Sequence, residues 1–337
     1  MAQTGMPMRR FFRYFLIALL LFAAFCFVNN TSLFSAAPDG PPLLLAHRGL
    51  AQTYDATGLD NETCTATRIH PPEHAYLENT LASMRAAFDA GADIVEFDIH
   101  PTTDGHFVVF HDWTVDCRTE GKGVTREHSL AELRKLDIGY GYTADGGRTY
   151  PFRGKNYGPM PTLDEVLTAL PQQRLLINVK SNDPAEGEML AKRLATLPPE
   201  RLAQLMAYGG DRPMAALRER LPALRVMSRR TLVSCGLGYI ALGWSGYVPA
   251  ACRNSLMLVP VNLAPWLWGW PHIFIERMQR NDVAVFISGP YGKGDPGTRG
   301  IDDAAAFARL PSPFTGGIWT NRIDRIAPLA RPGPTSP

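Results

Sequence analysis

Several features that would fix a protein's class are missing from this 337-residue sequence. Charge of one sign is not in excess: 34 Lys and Arg face 32 Asp and Glu, a net of +2, and no basic block interrupts the spread. That excludes a nucleic-acid partner held by bulk electrostatics. Among five cysteines there is no Cys-x-x-Cys, which argues against structural zinc. No Gly-rich phosphate loop follows the first apolar strand, where an open doubly wound sheet would carry one. Internal repeats and low-complexity tracts are also absent. Long apolar runs are scarce, and only Tyr14–Val28 is apolar throughout.

That run follows Arg9, Arg10 and Arg13, with no acid in residues 1–13. It is long for a signal-peptide core and short for a full span of about 20 residues. A cleaved signal peptide would use the small residues Ser35-Ala36-Ala37. The alternative, an uncleaved membrane anchor, is the reading taken. The positive flank keeps the N-terminus cytoplasmic, so the rest of the chain is exported, to the periplasmic or extracellular side. The expected organisation is a signal anchor or signal peptide over 1–37, a linker over 38–42, one catalytic domain over 43–327 and a flexible tail over 328–337. Export makes disulfides the expected state of the four downstream cysteines, and four allow three pairings. Cys64 and Cys117 fall in loops beside polar motifs, and Cys235 and Cys252 bracket one irregular segment. The pairs Cys64–Cys117 and Cys235–Cys252 are therefore expected, with four buried free thiols as the alternative.

Most of the chemistry is concentrated in residues 91–112. Ile94, Val95, Phe97 and Ile99 mark a strand that Glu96 and Asp98 interrupt. A strand has period two, so both carboxylates point to one face. Paired carboxylates repel and are costly to bury, and a hard divalent cation relieves both problems. Thr103-Asp104-Gly105 reads as a turn into a second arm, Phe107–Phe110, that ends in His111-Asp112. A surface hairpin with chance charges is the bland alternative, but Glu96 and Asp98 sit where a buried strand carries Val or Ile. Two other strands end in the same style. Leu43-Leu44-Leu45-Ala46 runs into His47-Arg48-Gly49, and Leu175–Lys180 places Asn178 and Lys180 on one face. A lysine on an inner strand face suits an anionic phosphate.

Strands are expected to start near 43, 94, 175, 205, 224, 257, 283 and 317, alternating with helices. The predicted helices include 78–90, with Asn79 or Thr80 as cap, and 302–308. Eight such units point to an α/β fold of the (β/α)8 TIM-barrel type, preceded by one apolar helix, with long loops at the C-terminal face of the strands. His47, Arg48, Glu96, Asp98, Asn178 and Lys180 all lie at or near strand ends, where such barrels keep their sites.

His47-Arg48-Gly49, Glu78-Asn79-Thr80, the Glu96-Phe-Asp98 strand, His111-Asp112 and Met160–Leu167, in that order, resemble the glycerophosphodiester phosphodiesterase family. The resemblance implies a TIM-type barrel and hydrolysis of a glycerophosphodiester to glycerol phosphate and an alcohol. It implies His47 and His111 as acid and base, and Mg²⁺ or Ca²⁺ held by Glu96 and Asp98; the charge of Arg48 and Lys180 itself suits them to share the negative charge of the phosphate. Many members place a third acid in a Glu-x-Lys; here that segment is Asn178-Val179-Lys180, so Asn178 is the candidate third ligand. Two alternatives keep the barrel. One is phospholipase D-type cleavage of a lysophospholipid or sphingolipid with a cyclic phosphate product, and the other is a non-catalytic headgroup-binding barrel. The aromatic-rich stretch with Trp244, Tyr247, Trp266, Trp268 and Trp270 either lines a lipid groove or packs under a long loop.

Overall fold

The computed structural model describes residues 8–34, 40–60, 63–292 and 299–331. The expected Ser35-Ala36-Ala37 and part of the 38–42 linker lie outside these residues. Nine strands form one sheet: β1 Leu43–Ala46, β2 Ile94–Pro101, β3 Phe107–Val109, β4 Arg174–Val179, β5 Leu205–Gly209, β6 Arg225–Ser228, β7 Ser255–Pro260, β8 Val283–Ser288 and β9 Gly317–Thr320. Eight pair in parallel in the order β6-β5-β4-β2-β1-β9-β8-β7, and β3 folds back antiparallel on β2 as a hairpin arm. The end strands β6 and β7 lie beside each other and bring the sheet to a nearly closed barrel. This is the TIM-type barrel that the alternating pattern predicts.

Period two explains its core. One inward residue from each parallel strand meets on the barrel axis: Leu45, Ile94, Leu176, Met206, Met227, Leu256, Phe286 and Trp319. The intervening residues, such as Leu44, Val95, Ile177 and Ile318, face outward and pack against the helices. A third cluster holds the long loops over one side of the barrel. It includes Ile69, Leu77, Phe110, Leu133 and Tyr142 and is stapled by the Cys64–Cys117 disulfide. The second expected disulfide, Cys235–Cys252, ties the helix Arg229–Leu242 to the turn before β7.

Some boundaries differ from the pattern. The helix expected over 78–90 is Leu81–Asp89, and Thr80 caps it through a reciprocal box with Ser83. That leaves Asn79 free for another role. The helix expected over 302–308 contracts to one turn, Ala304–Phe307, because Asp302 turns instead toward the end of β9. The last helix, Ile323–Ala330, continues past the expected domain end at 327, and Arg331 beyond it pairs with Asp93.

The apolar N-terminal helix spans Met8–Asn30, longer than the apolar run alone, and none of it is buried in the protein. Its far end rests on the barrel. Phe22 and Phe25 meet the Trp244 ring at 5.0 and 6.3 Å. Asn29 and Asn30 each donate to the Trp244 carbonyl at 2.9 Å, and Arg277 donates to Asn30 Oδ1 at 2.8 Å. The aromatic-rich stretch therefore divides. Trp270 packs inside on Phe274 and Phe314, whereas Trp266 is 78% exposed.

Candidate active site

All seven residues singled out in the sequence converge at the C-terminal end of the barrel. The inward side of β2 changes from Ile94 to Glu96 and Asp98, and both carboxylates are fully buried. Their neighbours differ. Asp98 accepts from Asn178 Nδ2 at 2.7 Å and from Asn79 Nδ2 at 3.0 Å. It also lies 3.4 Å from Arg48 Nε and 3.6 Å from Lys180 Nζ. Burial pushes the Asp98 carboxyl up, but Lys180, His111 and Arg48 outweigh it and hold the group well below the usual carboxylate range. Glu96 accepts from the Tyr208 hydroxyl at 2.7 Å and from the Arg48 backbone N–H at 3.0 Å, both neutral donors. Burial, helped by the Asp98 charge, pushes Glu96 up to about 8.

Backbone geometry holds this constellation. Arg48 and Asn79 both adopt left-handed conformations, φ 61 and 60, which non-glycine residues populate only when the surroundings enforce it. The turn at Arg48 aims its N–H at Glu96. Gly49 follows at φ 80, where a Cβ would come within 2.9 Å of the Ser83 backbone, so the close approach requires glycine. Asn79 clamps β2 from the side: its Oδ1 accepts from the Asp98 N–H at 3.0 Å while its Nδ2 donates to the Asp98 carboxylate.

The two histidines are tethered alike and neighboured differently. Asn321 donates from Nδ2 and its backbone N–H to Asp302, which turns its amide oxygen toward His47 Nδ1, 2.7 Å away. That acceptor places the proton on Nδ1 and leaves Nε2 free, 3.8 Å from Glu96. His111 presents Nδ1 to Asp112 at 2.6 Å, so its Nε2 is free as well. Burial, then Arg48, lowers the His47 pKa well below the ordinary value. Burial, Arg48 and Lys180 lower that of His111, opposed by Asp98 and Asp112.

A buried chain of alternating charge connects the parts. Glu78 accepts an ion-pair contact from Arg48 at 3.2 Å and another from Arg118 at 3.2 Å. Arg118 Nε reaches Asp112 at 2.9 Å. Four carboxylates (Glu78, Glu96, Asp98, Asp112) thus face three cations (Arg48, Arg118, Lys180) around two neutral imidazoles. The acid left without a cation is Glu96, whose raised pKa of about 8 keeps it largely protonated at neutral pH. A hard divalent cation fits that deficit, and two carboxylates with an amide oxygen are the ligand chemistry it takes. Asn178 would join only with its amide oxygen turned inward, the reverse of its present donor orientation. Among the described residues, no cluster of three or more His, Cys, Asp or Glu forms a metal site.

Sequence reasoning missed Tyr208, Asn321, Asp302 and the Arg118–Glu78 link. Tyr208 and Asn321 had a usable signal: each stands two residues beyond an inward apolar residue at a strand's C-terminal end. Arg118 had none, because it sits in a polar loop and its partners Glu78 and Thr65 lie 40 or more residues away in the chain.

Two cavities flank the charged centre. One of about 290 Å³ is lined mostly by polar and charged residues, among them His47, Arg48, Gln52, Tyr54 and Asp302. The other, of about 980 Å³, starts at Asn178, Lys180 and Tyr208 and becomes apolar. A third, of about 250 Å³, opens at the opposite end of the barrel around Leu43, Arg174 and Arg225, away from these groups.

Comparison with known proteins agrees with the geometry. The profile of the Glycerophosphoryl diester phosphodiesterase family matches residues 47–195. A glycerophosphodiester phosphodiesterase of Caldanaerobacter subterraneus subsp. tengcongensis is 38% identical over 264 residues, covering 76% of this chain and 93% of the relative. Among solved structures, the glycerophosphodiester phosphodiesterase from Agrobacterium tumefaciens superposes with a TM-score of 0.55 at 22% identity, over 87% of this chain and all of the other. The glycerophosphoryl diester phosphodiesterase domain of a Mycobacterium tuberculosis protein gives 0.58 at 14% identity, over 86% and 99%. These two likenesses support the fold.

Proposed function

The chain belongs to the glycerophosphodiester phosphodiesterase family, and on that premise we propose how its site works. As a phosphoric diester hydrolase it cleaves a P–O bond. We assign it the hydrolysis of glycerophosphodiesters to glycerol phosphate and an alcohol, on the exported side of a membrane to which the helix Met8–Asn30 anchors it.

The observation that carries the assignment is the pair of Nδ1-tethered histidines beside buried Arg48 and half-buried Lys180. The two cations take the non-bridging phosphoryl oxygens and share the charge that develops on them. His47, held by a neutral amide, stays unprotonated and removes the proton of the attacking hydroxyl at Nε2. His111, with Nδ1 held by the Asp112 carboxylate, acts in its protonated form, which Asp98 and Asp112 favour against burial, and from Nε2 it protonates the leaving alkoxide. Burial lowers both imidazoles, but only His111 has a carboxylate on its ring to oppose it, and that difference assigns the base to His47 and the acid to His111. Glu96, Asp98 and the Asn178 amide oxygen would hold Mg²⁺ or Ca²⁺. When bound, that ion supplies the positive charge that Glu96 lacks and polarises the phosphoryl oxygen.

The test is choline release from glycerophosphocholine by the full chain, with and without chelator. Chelation is expected to abolish turnover, and added Mg²⁺ or Ca²⁺ to restore it. Turnover unaffected by chelator would remove the metal from the mechanism, and no choline release at all would sink the substrate assignment.

A further inference from the structure

The cavity of about 980 Å³ that begins at the phosphate site is far larger than a glycerol needs. Its size is at the upper end of the range for small-molecule pockets, about 300–1,000 Å³. Asn178, Lys180 and Tyr208 form its polar end, so the groove is continuous with the residues around Asp98 and Glu96. From there it runs over the ends of β6 and β7, the two end strands, which do not pair with each other. One wall is the helix Arg229–Leu242, through Val233, Gly236 and Ile240, and the facing wall carries Leu258, Leu263 and Trp266. The outer rim is apolar and exposed: Ile240 is 50% and Trp266 78% accessible. An exposed apolar patch of this kind marks a binding surface.

Its position says what binds. The wall helix ends at Leu242, and the next turn, Gly243–Ser245, is the one on which the apolar helix Met8–Asn30 rests through Phe22, Phe25 and Asn29. The mouth of the groove therefore opens beside the segment suited to cross a membrane. On the other side of the charged centre lies the smaller cavity at His47 and Arg48, lined mostly by polar and charged residues. A phosphodiester has two arms, and the site offers one polar recess and one apolar groove.

We propose that the apolar groove takes the single hydrocarbon chain of a monoacyl or monoalkyl glycerophosphodiester, a lysophospholipid-class substrate drawn from the membrane surface, while the polar recess takes its headgroup. This rests on the phosphodiesterase reading above and narrows its substrate. The P–O bond to the headgroup alcohol breaks. Water gives its hydroxyl to phosphorus and its proton to the departing alcohol oxygen, leaving an acylglycerol phosphate.

The experiment uses the full chain in lipid nanodiscs with glycerophosphocholine and 1-acyl-glycerophosphocholines of two to ten acyl carbons. Headgroup release is expected to rise in kcat/KM with chain length, by up to about fourfold per methylene buried, until the groove is full. Gly236 has open space where a side chain would project. Gly236→Trp should therefore fill the groove and flatten the series while leaving the glycerophosphocholine rate, which also reports folding, unchanged. Val233→Glu, at a half-exposed position on the same wall, should reduce the slope without risk to the core. A series flat in the unmodified protein, or a slope that both variants leave intact, overturns the groove assignment while glycerophosphocholine hydrolysis stands. Hydrolysis of no member of the series overturns the phosphodiesterase reading and this inference together.

Discussion

On β2 the inward residues above Ile94 are Glu96 and Asp98, whereas on β7 the inward residues above Leu256 are Leu258 and Pro260. These are equivalent places in a (β/α)8 barrel, one or two side chains above the same hydrophobic layer. On the side formed by β1, β2, β4 and β9 they carry histidine, carboxylate, lysine and asparagine. On the side formed by β7 and β8 they carry leucine, proline and a small serine. The charged side is fixed by ion pairs that reach from Asp98 through Arg48, Glu78 and Arg118 to Asp112. The apolar side is fixed by the Cys235–Cys252 bridge and the contact with the N-terminal helix. On the proposed reading, chemistry and substrate capture occupy different strands of one ring, and each can be damaged separately.

The sharpest break comes from the histidines. His47→Ala and His111→Ala should each lower kcat by about 10²–10⁴-fold, the range for a lost general acid or base. Neither change touches the groove, so whatever binding the apolar side supplies should persist in a substrate-binding measurement. A His111→Ala enzyme with full turnover would remove His111 from the chemistry.

The two sides also differed in how much of them could be read in advance. The barrel was legible because strands with a buried core show apolar residues at period two, and eight such runs recur at helical intervals. The charged side was legible in part because its residues come in short local groups. His47-Arg48, Glu96-x-Asp98 and Asn178-x-Lys180 each violate an apolar strand within two or three positions. Tyr208 and Asn321 stand alone on later strands, and their partners, Glu96 and His47, are more than 100 residues away. Asn79 read as a possible helix cap because the cap and the clamp on Asp98 are adjacent residues with similar side chains. The groove had no local signature. Val233, Gly236, Leu258 and Trp266 come from separate elements, and only the packing of a helix over the β6–β7 edge makes them one surface.

The disulfides offer a medium-sized test, because one serves each side. Cys64–Cys117 closes 53 residues and Cys235–Cys252 closes 17. On a chain-entropy account both stabilise by about 3–4 kcal/mol, the longer loop by about 1 kcal/mol more. Thermal unfolding of the two double Cys→Ser variants measures this. Their functional effects should diverge. Cys117 precedes Arg118 and Cys64 precedes Thr65, and Arg118 donates to Thr65 at 2.7 Å while holding Asp112 behind His111. Loss of the first bridge should therefore reduce kcat on glycerophosphocholine, and Arg118→Lys, which lacks the planar fork, should do so by about 10–100-fold. Loss of the second bridge should spare that rate. Equal effects of the two bridges on glycerophosphocholine turnover would erase the distinction between the sides.

The smallest effect sharpens the contrast between the histidines themselves. A base must be neutral to act, and burial with Arg48 lowers the His47 pKa well below 6.5, so the neutral form persists into acid. The acid limb of kcat/KM should accordingly lie below the ordinary histidine range. The alkaline limb belongs to His111, where the Asp98 and Asp112 carboxylates oppose the effect of burial. The Asn321 contact is one of the influences that raise His47. Asn321→Ala removes it, so the acid limb should move to still lower pH, by about one unit or less, the worth of one hydrogen bond. The alkaline limb should stay in place, because Asn321 does not touch His111. A pH profile of the variant in which the acid limb instead rises, or in which both limbs move together, would mean that His47 is not the group that titrates on the acid side.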